Sequence, residues 1–304
     1  MAGTCTAEPD AVLFRPRFPF VPGVAYTVIV RRAAPPAPSL QLTIRYPSRP
    51  AAPLTEVVEI WPTLDELPRN VLRLYVELSK PMSEGFAQAN VSVVDVDRGT
   101  TLDDALLPIE PELWDRDRRR LTVLFDPGRI KRGLEPHAQA GYPLRAGMVI
   151  DLAVAEGFLD GDGQRLRRVG RRRYRIGADL RGRVDPETWV LDPPRAGARE
   201  PVHVDFGRPL DHALLRRCLT VVDGGGVALA GEGRSIGGGT SWTFVPDEAW
   251  VSGRHELVVD TTLEDVAGNS VRRVFDRDLD RREDDPLAED LVRVAFQARD
   301  DVDP

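Results

Sequence analysis

The chain has 304 residues, of which 42% are hydrophobic and 29% charged, and its formal net charge is −7. Its length corresponds to about two domains, and this balance of apolar and charged residues excludes a disordered polyelectrolyte. No apolar run approaches the ~18 residues of a membrane-spanning helix, so we expect no transmembrane segment. The acidic balance argues against a nucleic-acid binder, because such proteins carry a basic domain. Two cysteines are too few for a disulfide-rich scaffold.

The first predicted elements are short strands near the amino terminus. Residues 12–16 and 26–30 are rich in β-forming residues and are bounded by proline or glycine. The prolines of residues 31–39 predict an extended linker. Residues 40–46 alternate apolar and polar side chains, so we expect them to pair with residues 12–30 in a small sheet.

Strand patterns also dominate the rest of the chain. Apolar and polar residues alternate in 74–78 and again in 202–206, and turn residues separate these runs from their neighbours. Short strands of this kind are typical of β-sandwiches rather than of alternating strand and helix units. Helical periodicity is confined to residues 83–90 and 211–218.

One sequence unit occurs more than once. Residues 80–95 (KPMSEGFAQANVSVVD) match residues 208–223 (RPLDHALLRRCLTVVD) without a gap, at an offset of 128 residues. Both copies contain a basic residue, a proline, an apolar residue, an N-cap candidate (Ser83 or Asp211), a helical turn and a strand ending in Val-Val-Asp. Residues 18–30 match 142–154, and residues 249–259 are a third copy of that half. The unit is therefore present twice in full and once as a half.

The order of these motifs resembles the bacterial Ig-like domains of surface-layer proteins. The residues that carry the resemblance are Pro81-Met82, Pro209-Leu210, Pro22-Gly23, Tyr26–Val30 and Leu263–Asn269. It covers residues 56–178 and 184–278 fully, and 11–31 as a half-copy. The resemblance implies an all-β protein of tandem immunoglobulin-like β-sandwich domains, used outside the cytoplasm as a spacer, adhesive or assembly module without catalytic residues.

Four segments follow from the repeats. Residues 1–54 are predicted to be a partial N-terminal Ig-like half-repeat with its linker, and residues 55–178 an Ig-like sandwich with an insertion at 129–141. A second sandwich is predicted for 184–279. The acidic tail 280–304 ends in a strand, 291–297, which returns to the N-terminal sheet or adds to an edge of the last sandwich. Proteolysis is expected between the sandwiches, at 179–184, or in the linker.

Two groups of basic residues are candidate binding sites. The insertion occurs in one copy only, and its residues Arg129, Lys131, Arg132 and His137 predict a projecting loop that contacts an acidic or anionic partner. The segment 165–175 contains seven arginines, and in a strand Arg171, Arg173 and Arg175 share one face. Two interpretations remain open: an edge strand kept soluble by charge, or a site for a polyanion or for the acidic tail.

Catalytic and metal motifs are lacking in the sequence. There is no HExxH, no histidine–cysteine cluster and no G-x-S-x-G, so we expect no enzyme activity, no cofactor and no metal. His255 is expected to lie in the core, and His203 and His212 at the surface. Asp160, Asp162 and Asp265 are explained by turn formation, with a calcium loop as the alternative.

The cysteines have separate expectations. Cys218 precedes a strand and has no His or Lys beside it in sequence, which predicts an inert thiol. Cys5 is a candidate for lipid attachment, because it lies close to the start of the chain.

We therefore expect a non-catalytic, extracytoplasmic (periplasmic or cell-surface) scaffold or interaction protein, whose loops or edge strands bind a protein or an anionic envelope polymer. The alternative is a polysaccharide-binding or polysaccharide-processing accessory protein. That alternative requires exposed aromatic side chains, for which the candidates are Trp61, Trp114, Trp189, Trp242 and Trp250.

Overall fold

The chain forms two compact units, Met1–Leu54 and Thr55–Pro304, in a computed structural model that describes residues 3–16, 20, 25–30, 40–45 and 54–300. In the first unit, strand β1 (Gly3–Ala7) pairs antiparallel with β2 (Val12–Pro16), and β3 (Ala25–Val30) with β4 (Leu40–Arg45). The predicted partner of residues 40–46 is thus confirmed for β3. β2 pairs instead with β1, a strand that the sequence did not predict. The linker 31–39 lies outside the described residues.

The second unit contains all remaining elements. Its strands are β5 (Val57–Trp61), β6 (Glu66–Pro68), β7 (Arg73–Leu78), β8 (Val91–Asp95), β9 (Thr100–Thr101), β10 (Leu113–Trp114), β11 (Arg120–Leu124), β12 (Val149–Val154), β13 (Gly170–Gly177), β14 (Val190–Asp192), β15 (Val202–Asp205), β16 (Leu219–Asp223), β17 (Gly231–Ile236), β18 (Ser241–Pro246), β19 (Gly253–Asp260) and β20 (Leu291–Ala298). Its helices are α1 (Ala87–Asn90), α2 (Pro127–Ile130), α3 (Glu135–Ala140) and α4 (His212–Leu215). None of the helices in the described residues has the length and apolarity needed to cross a membrane.

Two sheets form the first sandwich, in the orders β10-β11-β7-β5 and β6-β13-β12-β8-β9. The alternation in β7 directs Leu74, Val76 and Leu78 into the core between the sheets. From the opposite sheet, Ile150 and Leu152 of β12 are fully buried in the same core.

The second sandwich has the sheets β14-β15-β18-β17 and β16-β19-β20. Val202 and Val204 of β15 are buried in its core, while His203 between them is exposed, as predicted. Two separate cores within two pairs of facing sheets confirm the expected fold class, all-β with tandem immunoglobulin-like β-sandwich domains.

Both sandwiches close the turn before their last strand in the same way. Met82 and Leu210 are fully buried, and each forms a β-bridge with an aspartate, Asp160 and Asp265 respectively. The helices that follow differ. Asp211 caps α4, as predicted. Ser83 caps no helix, because α1 begins only at Ala87. The Ser83 hydroxyl donates instead to the Asp160 carbonyl oxygen.

The last strand of the second sandwich is not the predicted one. In the repeat, residues 271–278 are the counterpart of the arginine-rich segment that forms β13, which predicts a strand there, but residues 271–275 form no strand, and Phe275 packs against the core of the first sandwich. The position beside β19 is taken by β20, so the carboxy-terminal strand adds to an edge of the last sandwich, one of the two alternatives above. The difference has a physical cause: Val292, Val294 and Phe296 alternate with outward residues, and residues 271–275 do not.

Candidate functional site: the arginine-bearing sheet face

Three arginines form a row on the outward face of the first sandwich. Strand β13 pairs with β12 so that Arg171, Arg173 and Arg175 lie opposite Ala153, Asp151 and Val149. All three arginines are exposed. Since alternate residues of a strand are ~6.6 Å apart, the three guanidinium groups form a line rather than a convergent cluster. We call these three residues the arginine row.

The other face of β13 is used for folding, as the alternation predicted. Tyr174 is fully buried, and its hydroxyl donates a hydrogen bond of 3.0 Å to the Pro62 carbonyl oxygen. Burial raises the pKa of the Tyr174 hydroxyl, so the side chain stays neutral. Arg172 lies 3.5 Å from the Glu59 carboxylate. Of the alternating side chains of β13 from 171 to 175, those of the arginine row are the exposed ones.

One carboxylate lies within the arginine row. Asp151 is buried beneath it with a side chain only 4% exposed, and accepts hydrogen bonds from Arg173 Nε at 2.9 Å and Nη2 at 3.1 Å. Arg171 Nη1 is 3.5 Å from the same carboxylate. Arg175 forms no ion pair with any acid among the described residues. Glu66 of β6 lies beside Arg175 in the strand register on the same face, so three positive charges against two negative charges leave an excess of one.

The insertion does not form the predicted projecting loop. Arg129 is buried at 9% exposure, and its guanidinium donates to the Asp104 carboxylate at 2.8 Å and to the carbonyl oxygens of Asp104, Gly141 and Tyr142. Ile130 beside it is fully buried. Arg129 therefore holds the two ends of the insertion together, and it is not available to a partner.

The other predicted residues of the insertion are also engaged within the protein. Lys131 Nζ lies 4.6 Å from the centre of the Phe275 ring, and Arg132 Nε donates to Asp276 Oδ2 at 2.8 Å. The His137 ring hydrogen-bonds the Arg129 carbonyl oxygen and meets the Tyr142 ring edge-on. The contacts of Lys131 and Arg132 reach Phe275 and Asp276, so the insertion is held against the chain that follows the Asp265 turn instead of projecting.

The segment between the sandwiches is held firmly as well. The Asn70 side chain donates to the Leu180 carbonyl oxygen and accepts from the Leu180 N–H, both at 2.9 Å. Asn269 donates to the same carbonyl oxygen at 3.0 Å, and Arg181 pairs with Asp276 at 2.7 Å. These bonds come from both sandwiches, so residues 179–181 are a clamped connection.

Sequence reasoning missed a buried polar junction between the sandwiches. Asp211 accepts a hydrogen bond of 2.6 Å from the Tyr75 hydroxyl and lies 2.6 Å from Arg73 Nε. Arg73 also pairs with Glu264. Tyr75 and Arg73 belong to β7, whereas Asp211 and Glu264 belong to the second sandwich. We call this group, with Trp61 and His212, the inter-sandwich junction.

His212 was expected at the surface, and the structure corrects this. Its imidazole is only 8% exposed and stacks on the Trp61 indole, with ring centres 3.7 Å apart and planes 6° apart. Its Nε2 is 3.7 Å from Glu77 Oε1, and neither ring nitrogen has a hydrogen-bond partner among the described residues. Burial lowers the pKa of His212, although Glu77 acts in the opposite direction.

The aspartates of the loops act as turn formers. Asp160 Oδ1 accepts hydrogen bonds from the N–H groups of Asp162 and Gln164, and Asp265 Oδ1 from those of Ala267 and Asn269. Burial raises the pKa of Asp265 to about 6. Across the described part of the chain, no group of three or more His, Cys, Asp or Glu residues is placed to hold a metal ion.

The tryptophans and cysteines occupy varied positions. Trp189, Trp242 and Trp250 are buried in the second core, and Trp61 and Trp114 are half-buried.

Cys218 is buried, and burial raises the pKa of its thiol, which agrees with an inert role. Cys5 is exposed in the middle of β1.

Comparison with known proteins gives structural neighbours only. No family model matches the chain, and no curated protein matches it. Among solved structures, surface layer protein SbsC (domains 1–6) has a TM-score of 0.29 and 14% identity, over 68% of this chain and 24% of that one.

Two further structures are similar at the same level. Native alpha-2-macroglobulin from Escherichia coli (domains MG0-NIE-MG1) has a TM-score of 0.27 and 8% identity, over 69% of this chain and 67% of that one. The titin domains Z1Z2 in complex with telethonin have a TM-score of 0.20 and 10% identity, over 68% of this chain and 88% of that one. The fold assignment rests on the sheets and cores of this chain.

Proposed function

We propose that this protein is a non-catalytic, extracytoplasmic scaffold or interaction module that binds an anionic envelope polymer through the arginine row. The observation that carries the proposal is the exposed line formed by Arg171, Arg173 and Arg175, in which Asp151 forms ion pairs with Arg171 and Arg173. Guanidinium groups match carboxylate and phosphate oxygens in a two-pronged geometry. Regular spacing along one strand suits a linear polymer that carries an anionic group on each repeat.

The acidic tail is the weaker candidate for this face. Its acidic side chains form ion pairs with nearby arginines: Asp285 with Arg277, Glu283 with Arg281 at 2.9 Å, and Asp290 with Arg272. These pairs compensate three of the acidic charges of the tail locally. An external polyanion therefore fits the arginine row better.

A scaffold role fits the way the two sandwiches are joined. The inter-sandwich junction and the clamped residues 179–181 connect the cores with buried hydrogen bonds and ion pairs. Such a connection resists hinge motion, because bending would break these bonds and leave polar groups that stay buried without partners. A stiff spacer holds a binding face at a fixed distance from the rest of an assembly.

The polysaccharide accessory role is less well supported. Sugar rings stack on exposed aromatic faces, but three of the five tryptophans are buried in the second core and the other two are half-buried. Recognition of a polymer by this chain would then depend on charge rather than on stacking.

The test is binding of the full chain to immobilised polygalacturonate across a salt series. We expect binding that weakens as salt rises. The triple variant Arg171→Gln, Arg173→Gln, Arg175→Gln should lose about tenfold in affinity, since each charge-assisted contact at a surface contributes about 0.5 kcal/mol. The matched control is Arg254→Gln with Arg293→Gln, two exposed arginines that share Glu256 on the second sandwich.

Two results would contradict the proposal. Equal losses in the triple variant and in the control would show that general charge, not the arginine row, drives binding. Equal affinity for neutral dextran and polygalacturonate would favour the polysaccharide accessory role instead.

A further inference from the structure

A cavity of about 290 Å³ opens at one edge of the first sandwich, away from the arginine row. Its floor is the core itself: Val91 and Val93 of β8, and Leu121 and Val123 of β11, all of them buried. Leu113, which is 40% exposed, forms part of its wall. We call this the edge cavity.

The cavity exists because the two sandwiches differ here. In both, a backbone N–H donates to the strand that ends in Val-Val-Asp: Leu102 to Val93 at 2.8 Å, and Leu229 to Val221 at 2.9 Å. In the second sandwich the chain then forms the six-residue strand β17, which pairs along β18. In the first, no strand of that length forms: Leu106 forms an isolated bridge with Phe125, the Leu107 N–H donates to the Leu124 carbonyl oxygen at 2.8 Å, and β10 adds a ladder of only two residues to β11. Copy-specific segments of this kind commonly carry function.

The charges around the edge cavity have one sign. Asp103, Glu110 and Glu112 are among its lining residues, and those lining residues, all within the described part of the chain, include no Lys, Arg or His. Glu112 is fixed in place, since its carboxylate accepts hydrogen bonds from the Ala87 N–H at 2.6 Å and from Trp114 Nε1 at 2.7 Å. Asp103 and Glu110 remain exposed at the rim.

We propose that the edge cavity binds a small amphiphilic cation, an aliphatic body with one protonated amine. The apolar floor takes the hydrocarbon, because burying apolar surface is favourable. The amine stays at the rim, where Asp103 and Glu110 complement its charge without a costly burial of the ion. At about 30 Å³ for each water-sized group, the volume accommodates roughly ten non-hydrogen atoms. This inference does not depend on the arginine row.

The test uses n-octylamine, octanoate and 1-octanol, which share one chain length and differ in charge. Each is titrated into the isotope-labelled full chain while methyl shifts are followed by NMR. We expect n-octylamine to shift the methyl groups of Val93 and Leu102 and to bind at least about tenfold more tightly than octanoate, because the rim repels an anion.

Two variants separate the charged rim from the apolar floor. Asp103→Asn with Glu110→Gln should weaken n-octylamine about fivefold, the size expected for two exposed ionic contacts, and leave 1-octanol unchanged. Leu113→Trp should abolish binding of both by filling the cavity. Leu279→Trp, at an exposed position elsewhere, is the control and should bind like the unmodified chain.

Three outcomes would overturn the proposal. One is octanoate that binds as tightly as n-octylamine. Another is a set of shifts that lies outside the edge cavity. The third is tighter binding of N-acetyl-lysine amide, in which only the side-chain amine is charged, than of n-octylamine. That result would indicate a lysine side chain of a partner protein as the occupant.

Discussion

The Asp211 carboxylate joins two functions that can be separated by substitution. Its Oδ1 caps α4 by accepting hydrogen bonds of 3.0 Å from the N–H groups of Ala213 and Leu214. Its Oδ2 accepts from Tyr75 and faces Arg73 across the inter-sandwich junction. Asp211→Ala removes both roles, whereas Asp211→Asn retains an effective N-cap residue but replaces the charged acceptor Oδ2, which faces Tyr75 and Arg73, by a neutral NH2 donor.

The expected loss for Asp211→Ala is large. Loss of the cap costs about 1 kcal/mol, and removing one partner of a buried ion pair costs about 3–5 kcal/mol. Arg73 keeps Glu264 as a partner, so the lower end of that range applies. We therefore expect the free energy of unfolding to fall by about 4 kcal/mol, and the two sandwiches to unfold in separate steps.

Urea unfolding followed by tryptophan fluorescence and by circular dichroism measures both effects. The matched control is Asp126→Ala, since Asp126 caps α2 through the Gly128 N–H but takes part in no ion pair within the described residues; it should cost only about 1 kcal/mol. Asp211→Asn should fall between the two. Equal losses for Asp211→Ala and Asp126→Ala, with unfolding still in one step, would refute the assigned role of the junction.

Three further predictions follow from the same contacts. Burial lowers the folded-state pKa of His212 below its unfolded value of about 6.5, so the free energy of unfolding should be highest at neutral pH and should decrease as the pH falls below that value. His212→Gln should weaken this decrease at acidic pH in urea unfolding, and an unchanged pH dependence would contradict the prediction. Arg129→Met should destabilise the protein by about 3 kcal/mol in thermal melts, because the Asp104 carboxylate and several carbonyl oxygens lose their donor. A loss of stability within ~0.5 kcal/mol, the size typical of a surface substitution, would contradict a structural role for Arg129. The sequence led us to expect proteolysis at 179–184, but because residues 179–181 are clamped, trypsin should leave Arg181 uncut in the folded chain and cut there after Asn70→Ala; rapid cleavage after Arg181 in the unmodified chain would show that the clamp is open.

The sequence predicts the parts of this fold that depend on local pattern. Alternation identifies β7 and β15, and the ungapped match at offset 128 places Met82 and Leu210 in equivalent buried positions. The face of Arg171, Arg173 and Arg175 follows from strand periodicity alone. These predictions succeed because each needs only a strand and its immediate neighbours.

The errors come from contacts between distant segments. His212 follows an N-cap residue and reads as exposed, but Trp61 of the other sandwich covers it. Arg129 and Arg132 read as a free basic loop, but Asp104 and Asp276 take up their charges. No periodicity encodes such pairings, because they depend on how segments that are far apart in the sequence pack, both within one sandwich and between the two. Repeat alignment also failed where the chain departs from the repeat, at residues 271–275.

The late position of β20 sets an order of events during synthesis. The first sandwich has all its strands once Gly177 has emerged, but β19 ends at Asp260 and its partner β20 begins only at Leu291. At roughly 5–20 residues per second, an edge of β19 stays open for about 2–6 s after β19 itself has been made. During that interval segment 271–290 is already available to dock on the first sandwich. The finished first sandwich can thus serve as a template that holds the incomplete second one until its last strand arrives.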